Sequence, residues 1–202
     1  MGTANSQMID CAMTDGSALL AAMTWSFHAT GRHADMRGVN MLDGGAHFYE
    51  TYECADGKYI SLGAIEPQFY ALMRQKMGLD ADPDFDAHYD ARAWPALKPK
   101  IAAVIAGKTR DEWCALMEMS DVCFAPVLSL AEAPQHPHNV ARETFIEVGG
   151  AIQPAPAPRY SVTVTDTPRQ SPTPGADSVA LVESLGFSAD TLATLRAKKV
   201  FQ

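Results

Sequence analysis

The feature that most narrows what this chain can fold into is a strand–turn–strand–helix sequence between residues 48 and 78. Phe48-Tyr49-Glu50-Thr51-Tyr52-Glu53-Cys54 is aromatic and β-branched, Asp56-Gly57 is a hairpin turn signal, and Lys58-Tyr59-Ile60-Ser61-Leu62 is the return strand. The return strand runs straight into Glu66-Pro67. Phe69, Leu72, Met73 and Met77 then share one helical face, and Gly78 is placed to stop the helix. Pro67 suits the first helical position, where its missing N–H costs nothing. A hairpin feeding a helix of this kind predicts a compact α+β unit.

The flanking segments extend that unit. Leu19, Leu20, Met23 and Phe27 predict a helix over residues 9–30, with Gly16 weakening its start and Gly31 ending it. Residues 33–40 read as a polar loop. Beyond an acidic loop, Trp94, Leu97, Ile101, Val104 and Ile105 mark a helix over residues 94–106. Thr109-Arg110-Asp111-Glu112 is a capping box opening the next helix, and Ser129-Leu130-Ala131-Glu132 is a second one. Between them, Val122-Cys123-Phe124-Ala125-Pro126-Val127-Leu128 reads as a short buried segment. Residues 137–145 read as a helix and Ile146-Glu147-Val148 as a strand. Six prolines between Pro154 and Gly175 predict an extended connector before a last helix capped by Ser188, with Leu192 and Leu195 facing inward. The predicted organisation is a connecting helix and loop over 1–39, a small α+β domain over 40–140, and a proline-rich arm with a C-terminal helix over 141–202. An extended arm of this length implies that it wraps over another domain or subunit.

Composition removes several functions. A net charge of −8 with scattered Lys and Arg argues against nucleic acid or an anionic membrane as partner. No apolar run approaches a membrane span, and Met1-Gly2-Thr3-Ala4-Asn5-Ser6 lacks the form of a signal peptide. Gly2 matches a myristoylation signal only weakly. Cys11, Cys54, Cys114 and Cys123 form no C-x-x-C pair, which predicts reduced thiols in a cytoplasmic protein. The apolar neighbours of Cys11, Cys114 and Cys123 predict core thiols.

Chemistry is concentrated in a few places. Glu66 lies at a strand-to-helix junction, beside orphan N–H donors and the positive end of a helix dipole, where a developing enolate oxygen could be held. The alternative is a plain capping carboxylate. Asp43-Gly44-Gly45 could bring backbone close to a ligand or form an ordinary turn. Met41, in the loop beside those glycines, is the methionine best placed to touch a substrate, whereas Met73, Met77 and Met117 read as core filler. His47 lies close enough to Asp43 in sequence to titrate in a site. His136 and His138 read as a surface pair, not a metal site.

Two blocks carry a family resemblance: Asn40-Met41-Leu42-Asp43-Gly44-Gly45-Ala46, and Gly63-Ala64-Ile65-Glu66-Pro67-Gln68-Phe69-Tyr70. With the segment from Gln7 to Gly16, Arg37-Gly38, Tyr52-Glu53-Cys54-Ala55-Asp56-Gly57 and Cys123 through Leu128, they resemble the α-methylacyl-CoA racemases of the class III CoA-transferase superfamily. The resemblance implies an α/β fold in which two chains interlock, each with a large α/β domain built from both chain ends and a small α+β domain between. It implies an isomerase that interconverts the R and S forms of a 2-methylacyl-CoA thioester through an enolate, without metal or redox cofactor, coenzyme A being part of the substrate. Glu66 matches the family's Glu, which assists a catalytic His. Met41, Leu42, Asp43, Gly44, Gly45 and Tyr49 match positions lining the acyl site. The family's His and Asp lie in an N-terminal domain that no block before Gln7 supplies, so the expectation is little turnover by this polypeptide without a partner. His47 stands where the family usually has Pro. The alternatives are a CoA-transferase of the same superfamily and a non-catalytic fragment or dimerisation module.

Overall fold

The computed structural model describes residues 8–200. The readings of Met1 to Ser6, and Gln7 in the first resemblance block, lie outside the described residues. The chain divides after Leu128 into two compact units, both built of helices and small antiparallel sheets.

In the first unit, α1 (Met13–Leu20) and α2 (Ala22–Ala29) replace the single helix predicted over residues 9–30. The break falls at Ala21, whose ψ of 9° leaves the helical region. Neither helix has a capping side chain at its N-terminus. The hairpin forms as predicted, β1 (Tyr49–Glu53) against β2 (Tyr59–Gly63), with Tyr49 opposite Gly63 and Gly57 at φ 72° in the turn. β3 (Phe124–Val127) adds antiparallel to β2, giving the order β1-β2-β3. The run around it was expected to be buried. Only Val122 is fully so, and β3 alternates between half-buried and exposed because it is an edge strand.

Helix α3 (Pro67–Met77) has Pro67 in its first turn and ends at Gly78 in the left-handed region, φ 71°. α4 (Trp94–Ile105) buries Trp94, Leu97, Ile101 and Ile105. α5 (Arg110–Met117) starts at the predicted capping box. The Thr109 side chain accepts from the Glu112 amide, and the Glu112 carboxylate accepts from the Thr109 amide at 2.8 Å. The core gathers one face of the sheet against these helices: Phe48, Ile60, Met73, Phe85, Ile101, Ile105, Trp113, Met117 and Val122 are all essentially inaccessible. Burying a side chain the size of Phe85 contributes on the order of 2–3 kcal/mol. Each buried indole N–H is satisfied, Trp94 donating to the His88 carbonyl and Trp113 to the Ile105 carbonyl, both at 2.9 Å. Arg110 ties α5 to the hairpin-turn end of the sheet at two points: its amide donates to Asp56 in the turn, and its Nη1 donates to the carbonyl of Val127, which pairs with Tyr59.

The thiols do not sit where their neighbours suggested. Cys54 is the buried one, Cys114 is half-buried, and Cys11 and Cys123 are exposed. Cys54 closes β1, with its amide held by the Lys58 carbonyl across the turn. Cys123 precedes the edge strand at φ 54°, which turns its side chain out of the core.

The second unit holds α6 (Pro137–Ala141), a hairpin of β4 (Phe145–Val148) and β5 (Ala151–Pro154), and α7 (Ser178–Ser184) and α8 (Ala189–Ala197). Gly149 and Gly150, both at positive φ, make the β4–β5 turn. The Ser129–Glu132 box closes reciprocally but opens only a short 3-10 turn, Ala133–Gln135, because Pro134 and Pro137 follow. Residues 155–173 form neither helix nor strand, as their prolines require. Ser188 caps α8 by accepting from the Thr191 amide, and Leu192 is buried.

Removing the α5 cap is a direct test of this assembly. Thr109→Ala should destabilise the first unit by about 1 kcal/mol in urea unfolding followed by tryptophan fluorescence. No change would mean that Trp113 and Arg110 alone hold α5.

Candidate active site

The site grows from a knot of hydrogen bonds between Asn40 and Asp43. Asn40 is buried, and its side-chain amide donates to the carbonyls of Ala34 and Met36 and to the Asp43 carboxylate. Its side-chain oxygen accepts from the Ala34 amide at 2.7 Å. The Asp43 carboxylate in turn accepts from the Asn40 and Gly38 amides. Burial acts to raise the Asp43 carboxyl, but these donors, with the Gly45 amide, hold it below the usual carboxylate range. Asp43 is thus an ionised group whose oxygens are spent on its own loop.

The knot winds Met41–Gly45 into a single π-type turn. The two glycines serve different needs. Gly44 has φ 91°, and a Cβ there would also meet the Glu50 carboxylate at 3.0 Å. A Cβ on Gly45 would lie 2.5 Å from the Val39 and Asn40 backbone, inside contact distance. Their close approach in this structure is therefore to the chain itself, Gly44 to the Glu50 side chain and Gly45 to backbone. The Gly44 carbonyl is gripped by the Lys98 ammonium at 2.5 Å, which also pairs with Glu50 at 2.7 Å. Burial pushes the Glu50 carboxyl up, but Lys98 and the Thr51 amide outweigh it and hold it low.

Two cavities flank this turn and share Leu42 and Asp43. One, of about 660 Å³, is bounded by Gly44, Tyr49, Glu50, Ser61, Lys98 and Cys123. The other, of about 760 Å³, is more apolar and is bounded by Met23, Phe27, Met41, Ile65, Tyr89 and Trp94. Of the residues singled out in the sequence, Leu42 and Asp43 border both cavities, Gly44 and Tyr49 the first, and Met41 the second. Gly45 is buried beneath the turn.

Glu66 borders neither cavity, though its predecessor Ile65 lines the second. It occupies the N-cap position of α3 with extended backbone, φ −76° and ψ 145°, and its carbonyl accepts the first helical hydrogen bond from Tyr70. Its side chain makes no capping bond. The carboxylate lies near Cys123 of the first cavity, whose thiol is pushed up by burial and by the Glu66 and Asp121 charges. The capping role that competed for Glu66 is therefore not the one it plays here.

His47 is not a surface titrating group. It is fully buried, within hydrogen-bond distance of the Tyr70 hydroxyl at 2.8 Å. That hydroxyl donates to the Phe85 carbonyl, so His47 Nε2–H is the donor to Tyr70. Burial, and then His88, push the imidazole down to about 4. His47, Phe48, Tyr70, Phe85, His88 and Trp94 form one ring cluster behind the site, with Tyr70 and His88 stacked at 3.7 Å.

Sequence reading missed Glu50 and Lys98. The pair spans 48 residues, and the only trace of it was a lysine beside the apolar stripe of α4. Among the described residues no group of three or more His, Cys, Asp or Glu side chains is arranged to hold a metal ion, and no helix is long and apolar enough to cross a membrane.

The chain belongs to CoA-transferase family III, which residues 2–178 match. It is 38% identical to alpha-methylacyl-CoA racemase of Mus musculus over 97% of its length, and 36% identical to that of Homo sapiens over 99%. It covers 52% and 53% of those proteins, so the chain spans about half the length of the curated relatives it matches. A solved CAIB/BAIF family protein from Brucella suis has the same fold over 84% of this chain and 45% of its own, with a TM-score of 0.63 at 20% identity.

Two predictions follow from the geometry. Gly45→Ala should lower the unfolding free energy by roughly 2 kcal/mol or more, since the clash is with backbone that cannot rotate away; wild-type stability would show that the turn relaxes. Because folded His47 stays neutral to about pH 4, the unfolded chain takes up its proton first as pH falls below about 6.5. His47 should therefore cost up to about 3 kcal/mol of stability between pH 6.5 and 4. In His47→Phe this part of the acid sensitivity should vanish, and a difference from wild type that does not vary with pH would contradict it.

Proposed function

We propose that this chain supplies one half of the active site of an α-methylacyl-CoA racemase. The observation that carries the reading is its 36–38% identity to two proteins of that name across nearly its whole length. The reaction class fits what Glu66 offers. Racemisation at the carbon beside a thioester removes one proton, leaves the electron pair on the carbonyl oxygen as an enolate, and returns a proton to the opposite face. Nothing is oxidised or reduced, so no redox cofactor is called for, and coenzyme A enters as part of the substrate.

Two acid/base groups must face each other across the reacting carbon. Glu66 is suited to support one of them, because its carboxylate is exposed, uncommitted and beside the uncapped first turn of α3. Asp43 and Glu50 are not, since each is consumed by its own partners. In this reading the His that Glu66 assists and the opposing Asp come from the half of the relatives' length that this chain does not match. Met41, Leu42, Asp43, Gly44, Gly45 and Tyr49 form the wall against which the branched acyl group lies, Asp43 and Gly45 by shaping it. The working assembly is a homodimer or a complex with that other half, acting in the cytoplasm.

The test is deuterium incorporation at C2 of (R)-2-methylacyl-CoA in D₂O. The chain alone should show background exchange, while the chain fused behind the unmatched half of the Mus musculus relative should exchange readily. Glu66→Gln in that fusion should lose about 100-fold or more. Transfer of the CoA group to a carboxylate acceptor, with release of the free 2-methyl acid and no C2 exchange, would favour a CoA-transferase, and no reaction of either kind a non-catalytic module.

A further inference from the structure

We infer that Tyr89 is a positioning residue for Glu66, acting through the backbone of the junction between β2 and α3. The inference rests on the functional reading of Glu66 given above.

The junction has little else to hold it. β2 ends at Gly63, and the Ala64 amide, donating to the Phe48 carbonyl at 3.1 Å, makes the last bond toward β1. The Ile65 amide turns back on the Gly63 carbonyl at 2.8 Å, and Pro67 has no N–H to give. The Glu66 side chain does not cap the helix that follows. Two groups grip the segment from outside, the His88 ring at the Ala64 backbone and, next to Glu66, Tyr89. The Tyr89 hydroxyl donates to the Ile65 carbonyl at 2.5 Å, across 24 residues of chain. That carbonyl belongs to the peptide plane whose nitrogen is Glu66's own, so fixing it fixes the Glu66 N–Cα axis about which the Cα–Cβ bond is aimed.

Tyr89 is fitted for this although the residue is 54% exposed. It stacks on His88 at 4.0 Å, and His88 stacks on Tyr70 at 3.7 Å, nearly parallel. The His88 carbonyl is held by the Trp94 indole, and the Ala64 backbone hydrogen-bonds the His88 ring. His88 and Tyr89 thus meet the two residues just ahead of Glu66, with the ring stack anchored in the core. A hydroxyl delivered by stacked rings loses little rotamer freedom on forming its bond. Tyr89 also borders the apolar cavity, so the residue that aims the carboxylate is part of the wall that a substrate's acyl group would press.

Tyr89→Phe keeps the stack and removes only the hydroxyl. In the 202-residue chain, amide hydrogen exchange over residues 65–70 should speed about tenfold while β1 and the start of β2 are unchanged. In the fused enzyme, kcat for C2 deuterium exchange should fall about tenfold with KM within twofold, and Tyr89→Ala should lose no less. A residue that merely supported the fold would instead let Phe behave as wild type. Wild-type amide protection, or unchanged kcat in a fusion that Glu66→Gln inactivates, would overturn the positioning role and leave the functional reading standing. Full activity in Glu66→Gln would remove the functional reading itself, and with it the inference.

Discussion

The Asn40–Asp43 hydrogen-bond knot is the constraint on which the rest of the site depends. A buried amide with four partners is costly to disturb, because any lost partner leaves a desolvated polar group. With Asp43 pinned, Gly44 has to take its positive φ and Gly45 has to lie against Val39 and Asn40. The chain then leaves the turn in the direction that buries His47 and Phe48 and starts β1 in register with Gly63. Lys98 reaches the turn from α4 and ties its carbonyl to Glu50, so helix and strand brace the same loop.

The ring cluster behind the turn does a related job for the other site element. His47 donates to Tyr70 on α3, Tyr70 donates to the Phe85 carbonyl, and His88 stacks on Tyr70. The acidic loop is thereby fastened to the helix that Glu66 opens. An imidazole works here because, kept neutral by burial, it can donate one hydrogen bond from a position a charged group could not occupy. Loop and junction are thus set by neighbouring layers of one core, which explains how segments 20 residues apart come to flank common cavities.

What the sequence disclosed was what short-range rules govern. The hairpin turn at Gly57, Pro67 and Gly78 at the two ends of α3, and the Thr109–Glu112 box each act within a few residues, and each appears where it was read. Features set by distant packing were illegible. The apolar surroundings of Cys123 could not reveal that it precedes an edge strand in a left-handed conformation, nor could Lys98 reveal a partner 48 residues away. The break at Ala21 was hidden because an apolar period says which face is buried only if something covers it. Leu19 and Leu20 are exposed in this structure.

The motif that most resembles the racemases therefore says less about chemistry than its polar residues suggest. Asn40 and Asp43 bind one another and their own backbone, Gly44 supplies a φ, and Gly45 supplies the absence of a side chain. Any enzyme needing this turn beside this hairpin could use the same residues, whatever reaction it ran. Glu66 differs in kind. Its side chain, one methylene longer than the Asp that suits an N-cap, makes no bond to the first-turn amides, and its backbone is restrained by Pro67 ahead and Tyr89 behind. An exposed carboxylate that adds no bond to its own helix, on a backbone held by a long-range hydrogen bond, is left open to a group from outside the chain. In the proposed racemase reading, Glu66 therefore serves by its chemistry and Asp43 by the shape of the turn.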